Sequence, residues 1–397
     1  MIEQISIQNF KSVQELTLPL GRINVLIGAN GVGKSNILEA IAFASAAVNS
    51  KLDNEYLAAR GIRVTDDARL MKSVFDKSNL SEAIRLTIRD QEHKESEFLL
   101  QSNEDSPYSA WTCPTDPIRS ELKEIISSID FVYQTIAQQK EQRPSLTESE
   151  IQAIVAKTEL GENGQHNIAR FARRIGPMWS YLIYSPEYTK LRAFAEEGQI
   201  LPLGINGEGL FKLLKVMANA SDQQSWKDLK EHLTLLEWFG DFDIPSDLTS
   251  NERTLKVKDR YLDESLASID QRSSNEGFLF LLFYYSLFIS DLTPPFFAID
   301  NIDASLNPRL CSQLMEDLAK LAAEHNKQAI LTTHNPAILD GINLHDDDQR
   351  LFVVSRNGDG HTRIKRVHVP VAKNGKTPVR LSEAFMRGYL GGLPGNF

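Results

Sequence analysis

Apolar residues are arranged in two ways along the chain, and each arrangement predicts a different kind of strand. Residues 2–8 alternate with a period of two, which predicts a half-buried strand. INVLIG at 23–28 is apolar throughout, which predicts a strand buried on both faces. Segments 83–90 and 96–102 are also strand-like, and the polar QEHKE between them predicts a hairpin. A second hairpin is predicted within 350–370, around the turn residues NGDG.

Other segments carry apolar residues at helical spacing. This pattern predicts helices at 35–48, 209–220 and 308–325. The most apolar run, GFLFLLFYYSLFIS at 277–290, has 14 residues, which is too few to cross a bilayer. We therefore predict a buried helix at this position and no membrane-spanning segment.

The character of the sequence changes in the region 116–175. This region is charged, has helical periodicity and is interrupted by RPS, which predicts a pair of antiparallel helices inserted into the main domain. The mixture of strands and helices elsewhere predicts an α/β fold that begins with antiparallel strands. We expect one lobe at 1–115, the helical insertion, a second lobe at 176–370 and a tail at 371–397.

Composition and charge narrow the choice of function. Of the 397 residues, 42% are hydrophobic and 24% are charged, which is typical of a soluble globular protein. The net charge of −10 excludes a uniformly basic surface, so any contact with DNA must use a local basic patch. Cys113 and Cys311 form no metal-ligand or disulfide pattern, and the N-terminus lacks the apolar region of a signal peptide. These features predict a cytoplasmic protein.

The segment GANGVGKS, Gly28 to Ser35, satisfies the pattern G-x-x-x-x-G-K-[ST] in full. It also stands between an apolar strand and a helix, which is the context that a phosphate-binding loop requires. Lys34 is expected to reach the β- and γ-phosphates, and Ser35 is expected to ligate Mg²⁺. The sequence therefore predicts an ATP site with Mg²⁺, whose nucleotide-binding residues are Asn30, Gly31, Val32, Gly33, Lys34, Ser35 and Asn36.

Two further polar residues end apolar strands. Asp300 ends PFFAID, where a Walker B carboxylate would hold the water shell of Mg²⁺ together with Ser35. His334 ends QAILTTH, from which a histidine can sense the γ-phosphate. A strand-terminal aspartate alone is more often a turn residue or helix cap, and a lone histidine there is usually structural. Their occurrence with the phosphate loop favours the functional interpretation for both.

The motifs in this order resemble the SMC/RecF/OLD branch of the ABC-type ATPases. The segments that carry the resemblance are IQNFKSVQELTLPLGRINVLIGANGVGKSNILEAI, YSPEYTKLR, SSNEGFLFLLFYYSLF, FFAIDNIDASLNPRL and ILTTHNPAIL. Within this branch the chain is most similar to the compact ATPases of bacterial anti-phage systems, such as the Septu ATPase or OLD-like proteins. The resemblance implies an ABC-type P-loop ATPase head, with a mixed central sheet flanked by helices, and covers nearly the whole chain outside 100–175.

The resemblance also implies a homodimer or higher homo-oligomer. In this branch each ATP lies between the phosphate loop of one protomer and the signature motif, L-S-x-G, of the other. SSNEG matches the signature when Gly277 takes the place of its glycine. Asn275 then stands where serine is expected, and Ser274 fits only if the register slips by one. An amide and a helix N-terminus could still donate to a γ-phosphate, so we keep Ser274, Asn275 and Gly277 as nucleotide-binding residues.

The residue after Asp300 bears on hydrolysis. The family's general base, a glutamate, is replaced by Asn301, whose amide cannot accept a proton from water. Losing a general base typically costs 10²–10⁴-fold in rate. Asp303 is a possible substitute base, or a cap for the helix that follows. The catalytic candidates are therefore Asp300, Asn301, Asp303 and His334, and the sequence predicts ATP binding with slow turnover.

Two functions remain open at this point. In the first, the ATPase regulates a separate effector, a nuclease, in anti-phage defence, because HDDDQR at 345–350 is a lone acidic run and no nuclease domain is expected in the chain. In the second, it acts in DNA repair or chromosome maintenance, like RecF, using basic segments such as ARFARR at 169–174 and RIKR at 363–366. An ABC transporter subunit is disfavoured, because the NFK opening and GKSN belong to the SMC-like branch.

Overall fold

A computed structural model of the chain describes residues 1–65, 67–73, 82–102, 111–115, 176–246, 252–263, 268–369 and 379–391. The insertion predicted at 116–175 and the basic segment at 169–174 lie outside these residues. The division into lobes and a tail stays a prediction, although strands from before and after the insertion share one sheet.

An antiparallel sheet of five strands forms the N-terminal part of the molecule, in the order β2-β1-β4-β5-β6. The half-buried strand predicted at the N-terminus is β1, in which inward residues alternate with partly exposed ones. The hairpin predicted from the two strand-like segments is confirmed, because β4 pairs antiparallel with β5. The bounds are β1, Ile2–Phe10; β2, Val13–Pro19; β4, Ile84–Asp90; β5, Glu95–Ser102; and β6, Trp111–Thr112.

The central sheet has six strands in the order β14-β13-β3-β12-β11-β7. Its inner strands are parallel, and β14 returns antiparallel to β13 in the second predicted hairpin. The bounds are β3, Ile23–Ile27; β7, Ile183–Tyr184; β11, Phe296–Ile299; β12, Gln328–Thr333; β13, Gln349–Arg356; and β14, Thr362–Val367. The carboxyl ends of β3, β11 and β12 therefore meet at one edge of the sheet.

Helices cover both faces of the central sheet, and a small antiparallel sheet, in the order β10-β9-β8, lies beside them. The helices are α1, Lys34–Val48; α2, Asn54–Ala59; α3, Tyr188–Ala193; α4, Leu210–Ala218; α5, Gln224–Leu233; α6, Glu276–Ile289; α7, Pro308–Glu324; and α8, Leu381–Met386. The small strands are β8, Phe239–Asp243; β9, Lys256–Asp259; and β10, Ile269–Asp270. Short 3₁₀ helices occupy Ala68–Met71 and Pro336–Gly341.

Two apolar cores lie on opposite faces of the central sheet. In β12, Ala329 and Leu331 belong to one core and Ile330 to the other. The first core contains α6, which is buried from Phe278 to Ile289, as the sequence predicts. The second contains α1 and the inner face of the N-terminal sheet. This packing fixes the starts of α1 and α6 relative to the edge where β3, β11 and β12 end.

Within the described ranges, no helix is both long enough and apolar enough to cross a lipid bilayer.

Candidate nucleotide-binding site

The loop between β3 and α1 follows the path that the phosphate-loop motif predicts. Gly31 and Gly33 have φ values of 75° and 106°, which side chains other than glycine rarely adopt. A Cβ atom on Gly33 would lie 2.1 Å from Thr362 Oγ1, and one on Gly28 would lie 2.2 Å from the carbonyl oxygen of Val354. Glycine is therefore required by close packing against the β13–β14 hairpin as well as by backbone conformation.

Lys34 is the first residue of α1 and is only 5% exposed. Its Nζ atom donates hydrogen bonds to the carbonyl oxygens of Gly28 (2.8 Å) and Ala29 (3.1 Å). Burial lowers the pKa of Lys34 to about 8, although the carboxylates of Asp300 and Asp303 oppose the shift. The loop thus folds around an ammonium group that its own carbonyls and two nearby carboxylates stabilise.

Asp300 follows β11 and faces this loop. Its Oδ2 atom accepts a hydrogen bond of 3.0 Å from Ser35 Oγ, and its Oδ1 atom accepts one from Thr332 Oγ1. The backbone N–H of Asn301 donates to the same threonine hydroxyl at 2.9 Å. The two predicted metal ligands, Ser35 and Asp300, are therefore in direct contact, and Thr332 orients the carboxylate.

Asn301 is exposed and has a φ of 57°, in the left-handed region. Asparagine and aspartate tolerate this conformation better than other residues that carry a side chain. The position that the sequence identifies as that of the missing general base thus has a backbone suited to a short polar side chain.

Asp303 accepts a hydrogen bond of 2.6 Å from Thr333 Oγ1. The alternative interpretation, that Asp303 caps the following helix, is wrong. Asn307 caps α7, because its Oδ1 atom accepts from the backbone N–H of Leu310 at 3.0 Å. Asp303 is half-buried and turns toward the end of β12.

His334 follows β12, and its Nδ1 atom lies 3.4 Å from Lys34 Nζ. Because an ammonium group can only donate, this contact requires Nδ1 to accept. Burial, and then the charge of Lys34, lower the pKa of His334 below its usual value. The imidazole is therefore neutral at pH 7, and a neutral ring adds no further positive charge to the cavity.

A cavity of about 340 Å³ joins these residues, and we call it the phosphate cavity. It brings together most of the predicted site, namely Asn30, Gly31, Gly33, Lys34, Ser35, Asn36, Asp300, Asn301 and His334. Val32 and Asp303 do not line it, and the carbonyl oxygen of Val32 instead accepts from Thr362 Oγ1 at 2.9 Å.

Two lining residues were missed by the sequence reasoning. Arg63 and Arg356 both line the phosphate cavity. Arg63 reaches it from the connection after α2, and Arg356 from the end of β13. Neither lies in a recognisable motif, and only the folded chain brings them to the loop. Two additional positive groups make the cavity more suitable for a polyphosphate.

The signature segment lies elsewhere on the molecule. Asn275 caps α6, since its Oδ1 atom accepts from the backbone N–H of Phe278 at 2.8 Å. Asn275 and Gly277 line a second cavity of about 600 Å³, which we call the signature cavity. Ser274 is buried, and its hydroxyl donates to the carbonyl oxygen of Asp270 at 3.3 Å. Ser274, Asn275 and Gly277 are all absent from the lining of the phosphate cavity.

The donor set of the phosphate cavity fits Mg²⁺. The ion prefers oxygen ligands, is usually held by one or two carboxylates, and keeps several waters and substrate phosphates. Ser35 Oγ and Asp300 Oδ2, in contact at 3.0 Å, supply such ligands at the edge of the cavity. In the described part of the chain, no three His, Cys, Asp or Glu side chains gather as a metal-binding group. A site with few protein ligands therefore suits Mg²⁺ better than a metal that needs a full protein cage.

Comparison with known sequences gives short matches to two archaeal proteins. The DNA double-strand break repair Rad50 ATPase of Saccharolobus solfataricus is 31% identical over 90 residues, which is 22% of this chain and 10% of that protein. The uncharacterized protein MJECL10 of Methanocaldococcus jannaschii is 54% identical over 43 residues, which is 11% of this chain and 20% of that protein. The chain thus aligns with only a small part of the length of either relative.

Comparison with solved structures supports the fold. The SmcHead bound to the C-winged helix domain of ScpA superposes with a TM-score of 0.50 at 16% sequence identity. The superposition covers 93% of this chain and 98% of that one. The predicted fold, an α/β head with a mixed central sheet flanked by helices and with antiparallel N-terminal strands, is therefore confirmed, whereas the helical insertion stays a prediction.

Residues 1–277 match the AAA ATPase domain family. This range contains the whole N-terminal sheet, the phosphate loop and the start of α6, and it is well over half of the chain. The chain therefore belongs to the AAA ATPase domain family.

Proposed function

We propose that the chain binds ATP with Mg²⁺ in the phosphate cavity and acts as a slowly hydrolysing, ATP-dependent switch. The observation that carries the proposal is the contact between Ser35 and Asp300 at the mouth of a glycine loop that encloses Lys34. Bound Mg²⁺ would supply positive charge beside the phosphates. Lys34 neutralises a phosphate oxygen, and the loop N–H groups and the α1 dipole stabilise the remaining negative charge.

Slow hydrolysis follows from what stands beside Asp300. The cavity lining next to it is Asn301, which can orient a water molecule but cannot take its proton. Asp303 is the nearest alternative carboxylate along the chain, but it accepts a hydrogen bond from Thr333 and does not line the cavity. These features favour prolonged occupancy by ATP over rapid turnover.

Calorimetry with MgATP tests the binding step. Wild-type protein should bind MgATP, and Lys34→Ala should lose most of this affinity because the phosphates lose their buried cation. Lys51→Ala is a matched control, since Lys51 is an exposed lysine that lies outside the phosphate cavity. Equal affinity in the wild type and Lys34→Ala would refute the assignment of the loop.

At the level of biology, we propose that the switch gates a separate effector, a nuclease, in anti-phage defence. The support is the resemblance of its motifs to compact defence ATPases, together with a site better suited to holding ATP than to consuming it. The test is to express the chain with its neighbouring gene and measure phage plaques. We expect the pair of genes to protect against phage and Lys34→Ala to lose this protection. If the neighbouring gene protects without this chain, the chain does not gate the effector.

A second candidate is DNA repair or chromosome maintenance. It is favoured by the sequence match to a Rad50 ATPase and by β14, an edge strand that exposes Arg363 and Lys365. This candidate predicts DNA binding whose affinity falls steeply with salt, because binding to phosphates releases counterions. Replacing Arg363 and Lys365 with glutamine should then reduce the slope. Undetectable DNA binding at low salt, with and without ATP, would exclude it.

A further inference from the structure

A buried carboxylate is linked to the phosphate cavity through one of the residues that line it. Glu39 is on α1, four residues after Ser35, and is only 2% exposed. Its Oε2 atom pairs with Lys11 and its Oε1 atom pairs with Arg63. Because a buried charge is costly unless it is paired, the two cations compensate the buried carboxylate of Glu39.

Arg63 connects this carboxylate to the cavity. Its Nη2 atom donates to Asn36 Oδ1 at 3.0 Å, and its side chain is 67% exposed and lines the cavity beside Lys34 and Ser35. The guanidinium is therefore held by Glu39 and Asn36, while most of the side chain stays exposed at the cavity. A planar fork of N–H donors presented in this way suits a phosphate group.

Lys11 completes the arrangement from the turn between β1 and β2. Its Nζ atom also donates to the backbone carbonyl oxygen of Arg63 at 2.9 Å. The backbone of Arg63 is thus fixed by Lys11, and its guanidinium is fixed by Glu39. Lys11 also keeps Glu39 compensated if a phosphate competes for the guanidinium, so engaging a phosphate does not leave Glu39 buried without a partner.

We propose that Glu39 and Lys11 are positioning residues that hold Arg63 at the phosphate cavity, where its guanidinium binds the phosphates of the nucleotide. The inference rests on the proposed binding of ATP in this cavity. In this proposal Arg63 contacts the phosphates directly. Glu39 and Lys11 affect phosphate binding only by positioning Arg63.

A double-mutant cycle tests this arrangement, with MgATP affinity measured by calorimetry on the full chain. Arg63→Ala should lower the affinity roughly tenfold to a hundredfold, as expected for loss of a charge-assisted contact. Glu39→Gln should lower it by a similar factor. In the Glu39→Gln background, Arg63→Ala should then cost less than about twofold, because the guanidinium is already misplaced.

Matched variants separate positioning from a general effect on the fold. Asp67→Asn removes a carboxylate that pairs with Arg69 at 2.8 Å, in the same connection but away from the cavity lining, and it should leave affinity unchanged. If Glu39→Gln does not fold, the double variant Lys11→Met/Glu39→Gln removes both opposite charges together. It then takes the place of Glu39→Gln in the double-mutant cycle. Thermal denaturation confirms that each variant is folded.

The outcomes separate this inference from the proposed function. If Lys34→Ala abolishes binding while Arg63→Ala leaves it unchanged, ATP binding stands and the role of Arg63 is refuted. If Glu39→Gln and Arg63→Ala lower affinity by independent factors that multiply, Glu39 does not act through Arg63. If the wild-type chain fails to bind MgATP, both proposals fall together.

Discussion

Two adjacent threonines at the end of β12 each orient one carboxylate of the site. Thr332 donates to Asp300, and Thr333 donates to Asp303 at 2.6 Å. A hydroxyl donor fixes the rotation of a carboxylate and leaves its other oxygen available, here for Ser35 on Asp300. Thr332 thus holds the carboxylate of Asp300 at the cavity, and Thr333 holds that of Asp303, which does not line the cavity.

The first residue-scale prediction concerns Asn301. Replacing it with glutamate places a potential base next to Asp300, so Asn301→Glu should raise ATP turnover by about 10²-fold if it reaches the water. The left-handed backbone at position 301 opposes the change, because a glutamate there should cost roughly 1–2 kcal/mol of stability. We expect a variant with faster ATP turnover and lower stability. Steady-state phosphate release measures the turnover, and thermal unfolding measures the stability.

Two companion variants interpret that result. Asn301→Asp keeps a residue suited to the left-handed backbone and isolates the effect of the carboxylate. Asp303→Asn should change turnover little if Asp303 is not the base. If Asp303→Asn abolishes turnover and Asn301→Glu adds nothing, the base is Asp303 and the explanation based on Asn301 is wrong.

The second residue-scale prediction is a pH dependence of ATP binding. The pKa of Lys34 is about 8 in the free protein, and phosphates in the complex would stabilise its ammonium form. Affinity should therefore fall as the pH rises from 7 to 9, by up to about tenfold, with proton uptake on binding near pH 8. The imidazole of His334, which contacts Lys34, is already neutral at pH 7 because its pKa is lowered, so it adds no proton uptake in this range.

Calorimetry in buffers of different ionisation enthalpy measures this proton uptake directly, and Lys34→Arg should abolish it. Stability is a less specific test. Because the pKa of Lys34 is lower when folded than its value of 10.5 when unfolded, the unfolded chain binds more protons between pH 8 and 10.5. Stability should rise with pH in that window. Buried Lys327, whose pKa is also about 8, contributes in the same direction.

At the scale of elements, local sequence patterns predicted individual strands, hairpins and helices. The strands β1 and β3, the β4–β5 hairpin and the buried helix α6 follow directly from periodicity and turn residues. The order of the central sheet could not be predicted, because β3 pairs with β12 and β13, which lie about 300 residues away in the sequence. The small sheet depends on pairing of strands of only two to five residues, which have little pattern of their own.

The site shows the same division between local and distant information. The glycines, Lys34, Ser35, Asp300 and His334 could be predicted because each ends or begins an element with a strong local pattern. Arg63 and its partner Glu39 could not, because their roles depend on an ion pair that tertiary packing creates. Local sequence patterns thus predict which residues form the phosphate loop. Tertiary packing decides which other side chains lie next to that loop.

At the scale of the whole molecule, the phosphate loop and the signature segment line two separate cavities. The phosphate cavity contains Lys34, whereas Asn275 and Gly277 line the signature cavity, so no residue of the signature segment lines the phosphate cavity of its own chain. If the signature contacts ATP, it must do so from a second copy of the chain. We therefore expect ATP to stabilise a head-to-head dimer in which residues 274–277 of each protomer face Lys34 of its partner.

Mixing two inactive variants tests this arrangement. Lys34→Ala should remove the loop contact, and Gly277→Asp should place a negative charge where the partner's phosphate is expected. In a shared-site dimer, a mixed pair contains one intact site, formed by Lys34 of one variant and the signature of the other. Mixing should therefore restore part of the ATP-dependent turnover that each variant lacks alone.

The control for the signature variant is Gly277→Ala. An added Cβ atom would have its nearest contacts at 3.6 Å, so alanine fits without displacing its neighbours and should retain turnover and dimerisation. Light scattering should then show dimers with ATP for the wild type and Gly277→Ala, and fewer for Gly277→Asp, because the added carboxylate repels the phosphates across the interface. The contrary outcome is that the two inactive variants recover no turnover when mixed, although each is folded and mixed dimers form. In that case each ATP site must lie within a single chain, and the signature cavity must have another role.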